Sequence, residues 1–290
     1  MSLARRFLVA ASALAASPLL LAQSLSMNLP AQVAAGSAFS IPTTGSGQGA
    51  LTIAGPGQAL RRSVQLGSPV SLPAGVLYNA GEYVAVLSNG ADEQAGLFEV
   101  TPAQQPSSLS FLAEPSRLPV DLQDGISGTV YVFDVYHNLI LRPMPVSFNL
   151  SASSGPSQTR TVPTLDGVSW TRMNSAAREG SAHFVAQADG VTSTRIVDEV
   201  PGDPCNLSMT ATPDGGKAKL QTSPVRDCSG NPIPDGTVVT FTASFDGRQS
   251  TVDVPLKRDV AEVEMPLPPG ATVSVASGVV AGNEIHWSGR

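Results

Sequence analysis

Cys205 and Cys228 bracket a segment with one simple way to fold. Between them, Thr212-Pro213-Asp214-Gly215-Gly216 is a strong turn signal. It is flanked by the stretches 207–211 and 218–225, so the flanks should fold back on each other as two strands. Reflecting Cys205 through that turn lands near Pro224, and a bulge or a small offset would bring its sulfur to Cys228. A chain closed this way has a β hairpin with a covalent staple, provided it folds in an oxidising compartment.

The first residues supply that compartment. Arg5 and Arg6 form a basic region ahead of the apolar stretch 7–21, which suits a secretory signal and is short for a membrane span of about 20 residues. Ala22-Gln23-Ser24 places small residues where a signal peptidase cuts, so residues 1–24 read as a signal peptide, with cleavage after Ser24 or else after Ala22. No cysteine follows the apolar stretch to carry a lipid anchor, and no second long apolar span follows it. The expectation is an exported protein with no integral membrane segment after signal removal, located outside the cell, at its surface or in the periplasm. There, two cysteines read as one disulfide, Cys205–Cys228. No Cys-x-x-Cys is present, which argues against a redox role.

Composition points to strands. Charged residues make up only 14% of the chain while Gly and Pro number 27 and 24, so helix formers are scarce and turn formers abundant. The net charge of −6, with basic residues scattered, gives no electrostatic reason to bind nucleic acid.

Pro-rich breaks divide the chain. Thr101-Pro102-Ala103-Gln104-Gln105-Pro106 and Val200-Pro201-Gly202-Asp203-Pro204 separate three segments, 25–103, 107–200 and 205–290. Each ends in a strand–turn–strand pattern. In the first, 83–87 and 95–100 flank Ser88-Asn89-Gly90-Ala91-Asp92; in the second, 182–188 and 191–197 flank Asp189-Gly190. The third offers 271–276, the turn Ser277-Gly278, then 279–281 and 284–287. Alternation at Val146, Phe148 and Leu150, and again at Val239, Phe241 and Ala243, marks strands with one buried face. Short antiparallel strands of this kind bury their apolar faces by pairing two sheets, so the fold class is all-β with tandem sandwiches.

One run is more specific. Val225-x-Asp227-x-x-Gly230-Asn231-Pro232, followed by Val239-Thr240-Phe241, resembles the central signature of the bacterial immunoglobulin-like domains of the invasin and intimin type. Segment 107–200 is similar through Val132-Phe133-Asp134, Asn138 and Pro145-Val146-Ser147-Phe148. It departs from the pattern at His137, where the third segment has Gly230, and at Leu139, where it has Pro232. Segment 25–103 offers only its closing hairpin. The resemblance implies immunoglobulin-like β-sandwiches that act as spacers holding a binding surface away from the cell, some carrying the adhesive surface themselves.

Catalytic chemistry finds little support. The three histidines, His137, His183 and His286, lack metal-ligand spacing, and no Gly-x-Ser-x-Gly elbow occurs. Asp198, Glu199 and Asp203 gather at the second break, and read either as a solvated linker or as oxygen donors for Ca²⁺; no metal or other cofactor is assigned. Glu262 and Glu264 share one face of a strand at a solvated edge. Tyr83 and Tyr131 read as core or corner residues. Trp170, in Gly167-Val168-Ser169-Trp170-Thr171-Arg172, is followed by polar sequence; if exposed, Trp170 with Arg172 would form a partner contact. The expected role is non-enzymatic: adhesion, spacing or surface assembly, with an unknown protein or glycan at the cell surface as partner. The alternative is a glycan- or protein-binding accessory module of an extracellular or periplasmic system.

Overall fold

The computed structural model describes residues 24–90, 92–153 and 155–289. The signal peptide assigned to residues 1–24 lies, apart from Ser24, outside the described residues. Among the described residues every regular element is a β-strand, and no helix is long and apolar enough to cross a membrane. The chain divides into two compact units, one ending at Thr101 and the other beginning at Pro102.

The first unit is built on a five-stranded sheet in the order Gln32–Ala34, Glu93–Thr101, Gly81–Ser88, Gln48–Gly55, Gln58–Gln65. Along Gly81–Ser88, Tyr83, Ala85 and Leu87 are fully buried while the residues between them face outward, the period-two pattern of a half-buried strand. Phe39–Ile41 pairs with Val70–Leu72 to cover that face, and contributes Ile41 and Leu72 to the core. The Tyr83 hydroxyl lies 2.8 Å from Gln58 Oε1 and 2.9 Å from the Asn79 carbonyl, two acceptors that share its one proton. A buried tyrosine bonded a few residues upstream is the corner found in immunoglobulin-like sandwiches.

The second unit holds two hydrophobic cores. One, spanning Phe111 to Val197, lies between the three-stranded sheet Ser108–Glu114, Ile126–Phe133, Val168–Met173 and a five-stranded sheet. The order in the larger sheet is Arg117–Pro119, Val191–Val200, Gly180–Ala188, Pro145–Ala152, Gln158–Pro163. This order matches that of the first unit strand for strand, including a short first strand that runs parallel to the last one. The core centres on Phe111, Phe148 and Phe184, whose ring centroids lie 5.0 to 6.2 Å apart. Gly128 makes room for them, since a Cβ there would stand 2.6 Å from the Phe184 ring.

The other core, Leu207 to Trp287, lies between Met209–Asp214, Lys217–Thr222, Glu262–Met265 and the sheet Arg248–Pro255, Val238–Phe245, Thr272–Ser277, Val280–His286. Here the parallel first strand is missing from the larger sheet. Asn283 takes its place, bonding both the N–H and the carbonyl of Met209.

Two expectations need adjustment. The hairpin turn is Gly215-Gly216, with Asp214 opposite Lys217, so Cys205 faces Arg226 instead of Pro224. Moving the turn centre by one residue moves the partner by two, which leaves only a short offset to the Cys205–Cys228 bond. Tyr83 is a corner residue, whereas Tyr131 is partly buried on the outer face of its strand.

Candidate functional site

The third-segment motif forms a closed turn around one carboxylate. Asp227 accepts hydrogen bonds from the N–H groups of Ser229 and Asn231, from the Asn231 side chain, and from Gly202 N of the preceding linker, at 2.8 to 3.1 Å. Burial opposes the charge, but these donors outweigh it and hold the Asp227 carboxyl below the usual aspartate range. Asn231, only 2% exposed, then reaches out of its own sandwich. Its Nδ2 donates to the Ala177 carbonyl at 3.0 Å, and its Oδ1 accepts from Glu179 N at 3.2 Å. One side chain thus joins its own turn to the loop preceding the strand Gly180–Ala188. Ser229 Oγ adds a bond to Asp121 of the same neighbouring sandwich.

The second segment repeats the turn. Asp134 accepts from Tyr136 N, from Asn138 N and its side chain, and from Ala103 N of the linker ahead of it, at 2.8 to 2.9 Å. The departure at His137 has a plain reading. The residue before the Asn sits at positive φ, 83° for Gly230 and 63° for His137. Histidine tolerates that region better than most residues with a Cβ, so the turn survives with some strain.

Trp170 and Arg172 alternate outward from Val168–Met173, an edge strand, with Trp170 62% exposed. Trp170 faces Thr129 across the ladder, and Thr129 faces Leu112, which is 49% exposed. Arg172 stands beside Ser127, and Ser127 beside Glu114. The rows make a platform with an indole and a leucine at its centre and charged groups along one side. A hollow lined by Asp124, Arg160, Trp170 and Arg172 adjoins it. The Asp124–Arg160 pair there, at 3.8 Å and about half exposed, is too solvated to contribute much stability. An exposed indole with an adjacent guanidinium can stack on a sugar ring or an extended peptide.

The other candidates do not converge. Asp198 and Glu199 point to opposite faces of Val191–Val200, Asp198 outward onto Ser181 Oγ and Glu199 inward. They do not form a shared solvated or ligating cluster. Among the described residues no group of three or more His, Cys, Asp or Glu side chains is placed to hold a metal ion. His137 lies in its turn, His183 is exposed on its strand, and His286 bonds Thr272. Glu262 and Glu264 pair with Lys219 and Lys217 across an edge of the sheet.

No known family matches the sequence, and no curated protein does. Among solved structures the chain is similar to invasin, a bacterial integrin-binding protein, at 14% identity and a TM-score of 0.48, over 92% of this chain and 60% of that one. It is similar to InvD of Yersinia pseudotuberculosis at 14% identity and a TM-score of 0.49, over 91% and 96% of the two chains. The FN1–FN3 domains of chicken CNTN1 align at 10% identity and a TM-score of 0.37, over 90% and 95%. The likeness is distant and concerns fold; no residue role follows from it.

Proposed function

We propose that the chain is an exported, non-enzymatic protein of three immunoglobulin-like sandwiches, at 25–103, 107–200 and 205–290, working as an adhesive spacer or surface-assembly component. The observation that carries this reading is the junction made by Asn231. A buried side chain that bonds two main-chain groups of the neighbouring sandwich holds the pair in one orientation, as a spacer requires. The Cys205–Cys228 bond lies beside that junction and fixes the entering linker. Trp170 and Arg172 are the proposed contact with a protein or glycan partner.

Surface proteolysis of intact host cells, followed by a glycan and matrix-protein screen of the released protein, tests the proposal. The expected result is cleavage at the surface and a partner whose binding is lost in Trp170→Ala, with stability unchanged within about 0.5 kcal/mol. The exposure of Trp170 favours one second reading, an accessory binding module. Full protection of the chain inside the periplasm, with Trp170-dependent binding intact, would select it.

A further inference from the structure

The outer face of the three-stranded sheet in the second sandwich narrows what Trp170 can hold. Its side chains stand in rows set by the ladder register: Ser110–Tyr131–Val168, Leu112–Thr129–Trp170 and Glu114–Ser127–Arg172. The middle row spans two inter-strand spacings, about 10 Å. The indole and Leu112 stand exposed at its two ends, with Tyr131 half-buried beside Thr129 on the same face. All of these side chains rise from paired strands, so the face is shaped before anything binds.

Size and charge then discriminate between partners. Three strands about 4.8 Å apart and six residues long cover about 300 Å². That is well under the roughly 800 Å² each partner gives to a stable protein interface. The face is also balanced in charge. Arg172 and Glu114 flank the middle row, and Arg160 and Asp124 line the adjoining hollow with Thr161, Trp170 and Arg172. Two guanidiniums and two carboxylates sum to zero, so neither a polyanion nor a polycation gains from the field. Arg160 and Asp124 engage each other only loosely, at 3.8 Å. The side chains of Arg172 and Glu114 have no hydrogen bond or ion pair among the described residues. Free donors and free acceptors therefore surround one exposed aromatic face.

That complement fits a neutral saccharide. A pyranose has a face of C–H bonds, which meets the electron-rich face of an indole, and a rim of hydroxyls, each both donor and acceptor. Guanidiniums serve the hydroxyl oxygens and carboxylates serve the hydroxyl protons. We propose that this face binds a neutral, hexose-containing glycan, with one ring stacked on Trp170 and the next lying over Thr129 towards Leu112. Arg172 would donate to hydroxyls of the stacked ring, and Asp124 would accept from them. The inference rests on the reading of Trp170 and Arg172 as the partner contact, and selects a glycan over a protein for it. A sialylated or sulfated glycan is disfavoured, because Glu114 and Asp124 would oppose its anion.

The test is an array of neutral, sialylated and sulfated glycans, probed with the full exported chain displayed on beads so that weak single contacts add. We expect retention on neutral hexose glycans at least about tenfold above the acidic ones, and its loss in Trp170→Ala. The retained glycan, titrated in solution, should shift the indole N–H signal of Trp170 saturably. The signal of Trp287, buried in the third core, should stay in place. Arg172→Gln and Asp124→Asn, both at exposed positions, should each weaken binding about three- to tenfold, the loss of about one hydrogen bond. The proposal is overturned if no neutral glycan is retained, if acidic glycans bind as well or better, or if both charge variants bind like the unaltered chain. Trp170-dependent capture of a matrix protein, with no glycan retained, would overturn it and leave the contact itself in place. Binding that never depends on Trp170 would remove the contact as well.

Discussion

Replacing Asn231 with alanine removes three interactions at once, and each has an assignable magnitude. The bond from Nδ2 to the buried Asp227 carboxylate is charge-assisted and contributes about 1.5–3 kcal/mol. The bonds to the Ala177 carbonyl and from Glu179 N are neutral and contribute about 0.5–1.5 kcal/mol each. Asn231→Ala should therefore destabilise the third sandwich by about 2.5–6 kcal/mol, enough to move a urea midpoint by at least about 0.8 M for a slope of about 1–3 kcal/mol/M. The two tryptophans allow the effect to be located. Trp287 is buried in the third core and Trp170 is exposed on the second, so in a Trp170→Phe background fluorescence reports the third sandwich. Its transition should shift, while far-UV circular dichroism resolves a later step for the rest of the chain. Amide exchange at Glu179 should quicken in parallel, because its acceptor is gone. A loss below about 0.5 kcal/mol with unchanged exchange at Glu179 would falsify the claim that Asn231 joins the two sandwiches.

Reduction of Cys205–Cys228, which spans 23 residues, should lower the same Trp287-reported stability by about 3 kcal/mol, measured by urea unfolding with and without reductant. His137→Gly relieves a left-handed backbone at a gain of about 0.5–1 kcal/mol after the entropy of glycine is deducted, read as a higher midpoint. Tyr83→Phe removes the one phenolic proton shared by Gln58 Oε1 and the Asn79 carbonyl and should cost about 1–2 kcal/mol in the first unit, Gln58 Oε1 keeping its bonds from Tyr78 N and Asn79 N. Two carboxyls act with opposite sign on the pH profile. Asp227, depressed by its donors, contributes stability that is complete above the unfolded value of about 3.9 and is lost as pH falls through the folded value. Glu199, raised by burial, contributes stability that is complete below about 4.3 and is lost as pH rises through its folded value. Glu199→Gln should therefore flatten the fall in urea midpoint on the higher-pH side alone.

The sequence made some of this legible for physical reasons. Closing hairpins announce themselves through Asn-Gly and Asp-Gly turns between alternating strands, and Gly81–Ser88 with Glu93–Thr101 lies where that pattern put it. The first unit otherwise stayed obscure because strands of two or three residues, such as Ser26–Met27 and Phe39–Ile41, are too short to show a period. Its edge strand Gln58–Gln65 is mostly exposed and carries little apolar signal. Exposure of Trp170 could not be fixed from polar neighbours alone, since edge strands carry polar residues on their solvent face and apolar residues on the other. Glu199 was misplaced by its setting: beside Asp198 and Pro201 it looks like linker. Counting in twos from Val197 would have turned it inward, because the strand runs on to Val200. The role of Asn231 between sandwiches had no local signal, as both its distant partners are main-chain groups.

That last point bears on how chains of this kind are assembled over evolutionary time. The lock at the third-segment turn is carried on its downstream side mainly by one aspartate and one asparagine. What it grips upstream is mostly backbone: Gly202 N, the Ala177 carbonyl and Glu179 N, with the Asp121 side chain, bonded by Ser229 Oγ, beside them. A receptor made of main chain places no demand on the identity of the side chains around it, only on the path of a loop. Upstream modules are then free to diverge in sequence, or to be exchanged for others with the same loop path, without a compensating change downstream. Such a joint suits recombination.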